Sequence, residues 1–177
     1  YDKEHLKIIS KEVYQNSNRL SSMILNMLDL ATLNANKLEL DKKLVNLSEI
    51  VEDRVKLCRK VYLQDKSIDF KLTIQPEIML SVDPNYFKQT IDNLVINAIN
   101  FSEKGVIEIT LKKDSKNVNF IISDQGKGIP PNEIYDVFTA FQEGSNTASK
   151  AQGRGVGLAL CKAAIRAHNG DIEAESR

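Results

Sequence analysis

Three short motifs in the second half of the chain, each placed where one predicted element gives way to the next, most constrain how this sequence can fold. In order along the chain they are Asn93-Leu-Val-Ile-Asn97-Ala98, Asp124-Gln-Gly126-Lys-Gly128-Ile129 and Gly153-Arg-Gly155-Val-Gly157-Leu158. Each motif alone is a weak signal, because glycine-spaced triplets occur in many loops. Their order and their positions at element ends predict a fold that brings them together in one site.

The apolar spacing along the chain predicts a mixed α+β fold. Ser48 is predicted as the N-cap of a helix that runs to about residue 64, and Asp83 with Pro84 opens a second helix through about residue 101. The other predicted elements are strands at 68–74, 78–82, 107–111 and 118–122, a helical turn near 132–137, a helix from about 155 to 168, and the start of a strand at 171–174. This pattern indicates an antiparallel sheet with helices on one face.

Between residues 6 and 34, a stripe of mostly apolar residues recurs at alternating intervals of three and four positions without a break. This spacing predicts a long helix with a helical partner. The stripe is wider than a two-stranded seam, so it fits a four-helix bundle. Asn16 on that stripe would favour one register. The alternative is an amphipathic helix that packs on its own domain. The predicted organisation is a helix over 1–37, a linker over 38–47 and a second domain over 48–177.

Composition excludes some classes of protein. The 24 Lys and Arg balance the 24 Asp and Glu, so nothing indicates a dedicated binder of nucleic acid or of membrane surfaces. No apolar run approaches the length of a membrane span, and we expect a soluble cytoplasmic segment whose parent protein could still be membrane-anchored. Cys58 and Cys161 are expected to be reduced core thiols, with a disulfide as the alternative. His5 and His168 are expected to be surface residues.

Asn93 and Asn97 lie four residues apart on the helix that begins at Pro84, so both amides project from one face. An asparagine oxygen is a hard, neutral donor suited to Mg²⁺, which keeps most of its waters and takes other oxygens from a triphosphate. The alternative is an ordinary polar pair on a solvated face.

Asp124 follows a predicted strand and precedes a glycine loop. A carboxylate there can accept from the exocyclic amine of adenine, whereas guanine presents a carbonyl at that position. Gly126 and Gly128 would let the backbone approach the base closely. The alternative is a plain Asp-Gln-Gly turn.

Gly153, Gly155 and Gly157 precede and begin the last predicted helix, whose N-terminus offers amide donors and a positive dipole end to an anion. Arg154 could add positive charge near phosphates, as could Lys150 or Lys127, although each is more often a solvated side chain.

Phe138 and Phe141 precede a polar stretch over 142–152 that is predicted to form a lid. The two rings would anchor the base of this lid, and packing in the core explains them equally well.

The motifs together resemble those of the C-terminal part of a bacterial sensor histidine kinase: the second helix of the dimerisation hairpin, followed by the catalytic ATP-binding domain of the GHKL superfamily. The matching segments are 93–102 for the N box, 124–129 for the G1 box, 138–141 for the F box and 153–158 for the G2 box. The resemblance covers nearly the whole chain. It implies a two-layer α/β sandwich of the Bergerat type, preceded by a long helix from a helical hairpin or four-helix bundle.

The resemblance also implies roles for individual residues. Asn97 would ligate Mg²⁺, Asn93 would assist at the phosphates and Asp124 would bind the adenine amine. The remaining residues implied in nucleotide binding are Phe101, Gly126, Gly128, Ile129, Phe138, Phe141, Lys150, Gly153, Arg154, Gly155, Val156, Gly157 and Leu158.

The chain departs from the family pattern at three points. Asn100 stands where a basic residue is often found, and the chain stops before the last strand of the domain. No segment resembles the phosphoacceptor box, so no residue of this chain is expected to accept the phosphoryl group. The expected reaction is transfer of the ATP γ-phosphoryl to a histidine on a hairpin helix that is not present in this chain.

The sequence favours a kinase domain over two alternatives: an ATPase switch, and a nucleotide sensor or phosphatase-biased module. ATP-hydrolysing relatives are similar in placing a glutamate at the position of Asn93, and an amide cannot take a proton from water. The expected partners of the kinase are its own phosphoacceptor hairpin, the receiver domain of a response regulator, and a second copy in a homodimer.

Overall fold

A computed structural model describes residues 9, 10, 13, 24, 40–63, 66–140 and 156–176. The elements in chain order are β1 (Lys43–Asn46), α1 (Leu47–Tyr62), β2 (Ser67–Ile74), β3 (Met79–Val82), α2 (Pro84–Phe101), β4 (Lys104–Lys113), β5 (Val118–Ser123) and α3 (Gly157–Ala167). Of the predicted helix over 6–34, the four described residues are helical, and the rest of it, with His5, lies outside the described residues. The predicted lid over 142–152 also lies outside them.

Local chemistry fixes where α2 begins. The Asp83 carboxylate accepts hydrogen bonds from the backbone N–H groups of Asn85 at 3.0 Å and Tyr86 at 3.5 Å. Pro84 occupies the first turn, where its missing N–H costs nothing. This confirms the helix predicted from the Asp83-Pro84 pair, including its end at Phe101.

The main sheet has the order β2-β4-β5, and its strands are mixed in direction. The pair β4 and β5 is antiparallel, as expected for a hairpin, but β2 and β4 run parallel. The prediction of a purely antiparallel sheet is therefore wrong. The parallel pairing follows from the connection, since β3 and α2 lie between β2 and β4 and return the chain to the same end of the sheet.

A second, two-stranded sheet pairs β1 with β3 in antiparallel register. The strand β1 lies within the segment 38–47, which the sequence suggested to be a linker, so part of that segment is structured against β3. The outer face of this ribbon exposes Leu44 and Met79.

The core lies between α1, α2 and one face of the main sheet. Its fully buried members include Val51 and Val55 of α1, Val95 and Ile99 of α2, and Ile107 with Ile109 of β4. The opposite face of the sheet carries mainly polar side chains beside the exposed Ile121, and Lys71 of β2 is paired there to its register partner Glu108 of β4 at 2.8 Å. Helices on one face and solvent on the other make the two-layer arrangement expected from the sequence.

Two local expectations are wrong. Asn46, rather than Ser48, caps α1 by accepting from the Glu49 N–H. Ser48 is buried, and its hydroxyl donates to the Gln75 carbonyl at 2.7 Å and accepts from the Ile78 N–H at 3.1 Å. Residues 171–176 form no strand.

His168 is half-buried rather than a surface residue. Its Nε2 accepts from the Asp83 backbone N–H at 2.9 Å, and its Nδ1 lies 2.7 Å from the Ala164 carbonyl. Accepting the Asp83 N–H uses the lone pair of Nε2, which leaves Nδ1 as the ring nitrogen that faces the Ala164 carbonyl. Its edge meets the ring of Phe87 at 5.0 Å. The histidine thus joins the end of α3 to the beginning of α2.

Both cysteines are buried free thiols, which confirms the core-thiol expectation and excludes the disulfide. Burial raises the pKa of each thiol to about 12. Among the described helices, none is long and apolar enough to cross a membrane.

Candidate functional site

One face of α2 carries three of the predicted site residues. Asn93, Asn97 and Phe101 follow one another at intervals of four residues, so they line one side of the helix. Both amides are half-buried, and Phe101 leaves 41% of its surface exposed. Polar groups at the edge of a core, beside an exposed aromatic ring, are suited to a ligand that is part charged and part planar.

Asn93 connects α2 to α3. Its side-chain Nδ2 donates to the Gly157 carbonyl at 3.4 Å, and a Cβ on Gly157 would lie 3.5 Å from the Asn93 side chain. The same amide hydrogen-bonds Cys161, one turn further along α3, and partly offsets the burial that raises the pKa of that thiol. The first and third motifs are therefore in contact, as the sequence predicts.

The end of α2 also contacts the loop that follows β5. Asp124 accepts the Gly126 N–H through Oδ1 at 2.8 Å, which closes a tight turn. A Cβ on Gly126 would lie 2.6 Å from the Phe101 carbonyl oxygen and 2.7 Å from Asp124 Oδ1. Only glycine fits between the last carbonyl of α2 and the carboxylate, so the first and second motifs meet at this point.

Further contacts hold the loop over 124–129. Gly128 has a φ of 70°, a left-handed conformation that favours glycine. The Ile129 N–H donates to Ser176 Oγ at 2.8 Å. Gln125 accepts from the Val106 N–H at 3.2 Å and folds over Gly105, whose φ is 105°. No sequence pattern predicts the contact of Gln125 with Gly105.

The segment over 131–140 consists of successive turns rather than a regular helix, and it packs on α3. The Lys162 ammonium lies 5.3 Å from the centroid of the Phe138 ring, a cation–π contact. Ala140 packs against the buried cluster of Val156 and Ala159 at the start of α3. Leu158 is half-buried beside them. Phe141, Lys150, Gly153, Arg154 and Gly155 lie outside the described residues.

Charged residues near this region are paired. Asp92, the neighbour of Asn93, receives both Arg54 Nε and Nη2 in a bidentate pair with α1, and this hydrogen bond raises the pKa of Arg54. Lys127 lies 3.8 Å from Glu103, with both side chains mostly exposed. The carboxylate beside Asn93 is thus neutralised and directed away from the amide face.

Sequence reasoning missed Lys66. Its ammonium donates to three carbonyls at the end of α2: Ile99 at 2.5 Å, Asn100 at 3.3 Å and Ser102 at 2.8 Å. Burial lowers the pKa of Lys66, and the nearby Glu103 carboxylate opposes that shift. One signal could have revealed it, because α2 has no basic residue in its own last turn to satisfy those carbonyls.

The side chains of the site fit a metal ion that takes most of its ligands from a bound phosphate compound and from water. Within the described part of the chain, no group of three or more His, Cys, Asp or Glu side chains could hold a metal ion alone. Asn97 offers a neutral amide oxygen, which suits Mg²⁺ coordinated mainly by water and phosphate.

The two-layer fold brings three features together: the amides of α2, the turn from Asp124 to Gly126, and the start of α3. This arrangement defines an ATP-binding domain of the GHKL type. The chain belongs to the family of histidine kinase-, DNA gyrase B- and HSP90-like ATPases, whose profile matches residues 82–177, more than half of the chain.

Known proteins similar to this chain include sensor proteins and histidine kinases. The chain is 31% identical to the sensor protein KdpD of Clostridium acetobutylicum over 99% of its own length and 20% of that protein. It matches the solved structure of the Mycobacterial sensor histidine kinase MprB with 26% identity and a TM-score of 0.64, covering 72% of this chain and 82% of that one.

Another comparison with a solved structure covers the whole chain. The Acinetobacter baumannii histidine kinase AdeS matches with a TM-score of 0.80 and 23% identity, covering 100% of this chain and 80% of that one. The chain spans between 11% and 30% of the length of the first curated relatives that it matches. The chain is therefore similar to a part of each of these proteins and not to their whole length.

Proposed function

We propose that this chain is the phosphoryl-donor part of a sensor histidine kinase: it binds magnesium-ATP and presents the γ-phosphoryl to a histidine outside the described site. The proposal rests above all on Asn93. This amide faces the start of α3 and donates to the Gly157 carbonyl, whereas the adjacent carboxylate, Asp92, is held away by Arg54. No side chain at that position of the amide face can remove a proton from water, which favours transfer to an external nucleophile over hydrolysis.

The geometry supports a role for each motif. Asn97 would hold the magnesium ion through its amide oxygen, and the ion would reduce the negative charge of the phosphates. Asn93, held by Gly157, assists at the phosphates, and the start of α3 offers them its N-terminal amides. Asp124 accepts from the adenine amine, while Phe101 lines the pocket.

In the transfer step, an imidazole nitrogen of the acceptor histidine forms a bond to the γ-phosphorus as the bond from that phosphorus to the bridging β-phosphate oxygen breaks. The electron pair leaves with ADP, and the imidazole loses its N–H proton to solvent. The domain contributes by positioning the phosphates and stabilising their charge. The expected partners are the phosphoacceptor hairpin, a second copy of the chain and a response regulator receiver domain.

The decisive experiment supplies a histidine-bearing hairpin from a related kinase together with γ-labelled ATP. Acid-labile label on the hairpin, absent when its histidine is replaced by glutamine, is the expected result. Steady phosphate release without the hairpin would instead indicate an ATPase switch, and binding without either reaction would indicate a sensor module.

A binding experiment tests the metal assignment. Asn97→Ala should remove most magnesium-dependent ATP binding, because the amide oxygen is lost. Asn85→Ala is the matched control, since Asn85 is an exposed asparagine at the other end of α2, about 18 Å away along the helix. Equal affinities for the two variants in isothermal calorimetry would show that Asn97 is not the ligand.

A further inference from the structure

The C-terminal end of α2 is held by a charge from another element. The last carbonyls of a helix lack partners within it and carry the negative end of the helix dipole. In α2 the Ala98 carbonyl accepts the Ser102 N–H at 3.2 Å, while those of Ile99, Asn100 and Ser102 accept from Lys66. Lys66 thus serves as the cationic cap that the sequence of α2 does not provide.

The backbone position of Lys66 is fixed by the sheet. It directly precedes β2, whose first residue, Ser67, pairs with Lys104 at the start of β4. Since β4 begins three residues after α2 ends, the parallel ladder places the lysine stem beside the end of the helix. Among the described residues, Ser102 Oγ is the one buried side-chain polar atom without a hydrogen-bond partner, so this hydroxyl does not share in the cap.

The same helix end forms a wall of the candidate site. A Cβ built on Gly126 would lie 2.6 Å from the Phe101 carbonyl oxygen, so the backbone of the Asp124 turn is in close contact with the end of α2. Phe101 itself belongs to the exposed aromatic edge of the site. A shift of this helix end by a few tenths of an ångström would therefore move the aromatic ring relative to the carboxylate.

We propose that Lys66 is a positioning residue for nucleotide binding: by holding the Ile99, Asn100 and Ser102 carbonyls it sets the distance between the end of α2 and the Asp124 turn. This inference rests on the proposed function of the site. It concerns the adenosine end of the ligand, because the wall it holds is that of Phe101 and Asp124. The lysine acts through backbone geometry and does not touch the phosphates.

Lys66→Met tests this inference, since the methionine stem is similar in length and apolar but carries no charge and no donors. We expect adenosine, ADP and ATP each to bind about tenfold more weakly by isothermal calorimetry, because charge-assisted hydrogen bonds are among the stronger ones. Lys66→Arg, which retains charge and donors, should restore most of the affinity. Lys71→Met is the matched control, because it removes the same charge from an exposed pair on β2, the strand that follows Lys66, and should leave all three affinities within about twofold.

Several results would overturn the inference. If ADP and ATP lose affinity while adenosine does not, Lys66 acts through its charge on the phosphates. If melting temperature falls but all three affinities persist, its role is structural only.

A measurement without nucleotide separates this inference from the proposed function. Hydrogen exchange at the Ser102 amide and the position of the Gly126 amide resonance should change in Lys66→Met and not in Lys71→Met. Unchanged exchange and an unchanged resonance in Lys66→Met would refute the positioning role. Failure of the wild-type chain to bind nucleotide would refute the proposed function, and it would leave this measurement on Lys66 valid. If Lys66→Met does not fold, Lys66→Gln replaces it in both measurements. This variant also removes the charge, while its side-chain amide retains hydrogen-bond donors.

Discussion

Replacing Gly126 by alanine should weaken nucleotide binding and also lower the stability of the fold. The added Cβ would lie 2.6 Å from the Phe101 carbonyl oxygen and 2.7 Å from Asp124 Oδ1, whereas ordinary contact begins at 3.4 Å. The turn would therefore have to retreat by about 0.8 Å from a helix end that cannot move freely. Gly126 does not have a positive φ, so the contact alone causes the strain.

The magnitude follows from these contacts. Overpacking of this kind costs about 1 to 3 kcal/mol of unfolding free energy. Retreat of the turn would also break the bond from the Gly126 N–H to Asp124, worth about 1 kcal/mol, and displace the adenine acceptor. We expect the dissociation constant for magnesium-ADP to rise at least about tenfold, a change of about 1.4 kcal/mol.

Calorimetric titration of folded protein, with thermal melts in parallel, measures both effects. Gly170→Ala is the matched control, since Gly170 follows the far end of α3 and its Cβ would meet the Ile165 Cγ2 methyl at 2.9 Å and the Ile165 carbonyl oxygen at an ordinary 3.4 Å. That variant should bind nucleotide like the wild type. Wild-type affinity in Gly126→Ala would refute the close approach of α2 and the turn as a determinant of the site.

Three further outcomes follow from contacts outside the turn. Asp92→Asn should lower the unfolding free energy by about 2 kcal/mol in a urea melt, because it leaves the half-buried Arg54 without its carboxylate; an unchanged midpoint would contradict this. Asp83→Ala removes the N-cap of α2 and should cost about 1 kcal/mol in the same assay, with no change in the slope of the transition. Cys58 and Cys161 should react with a neutral alkylating reagent far more slowly than free cysteine at pH 8, because both thiols are buried and have a raised pKa. The free energy of unfolding should fall as the pH rises from 9 towards 12, because the thiols of the unfolded chain ionise at lower pH than those of the folded chain. Rapid modification of the folded protein would show that the thiols are accessible.

Elements with a local chemical signal were predictable from the sequence. The Asp83-Pro84 pair defined the beginning of α2, and alternation defined β4 and β5 with their hairpin. The four-residue spacing of Asn93 and Asn97 placed both amides on one face, and the structure adds the contact to Gly157. The roles of these residues in binding magnesium and phosphate stay predictions.

Features that depend on distant partners were not predictable. The direction of β2 relative to β4 leaves no mark on the alternation within either strand. Asn46 and Ser48 are both good N-cap residues, and the choice depends on Gln75 and Ile78, which take up the Ser48 hydroxyl. The partner of His168 is a backbone N–H 85 residues away, and no pattern in the sequence around His168 predicts that hydrogen bond.

The parallel pairing of β2 with β4 has a consequence for how the domain folds. The hairpin of β4 and β5 spans a short turn and can form within microseconds, whereas the β2–β4 ladder cannot close until residues 75–103 have been arranged. Those residues include α2, so the helix that carries the asparagines is ordered in the same step that completes the sheet. Unfolding in the reverse direction releases both together. A ligand bound along α2 would therefore slow the unfolding of the entire sheet, so nucleotide should lengthen the lifetime of the native state as well as raise its stability.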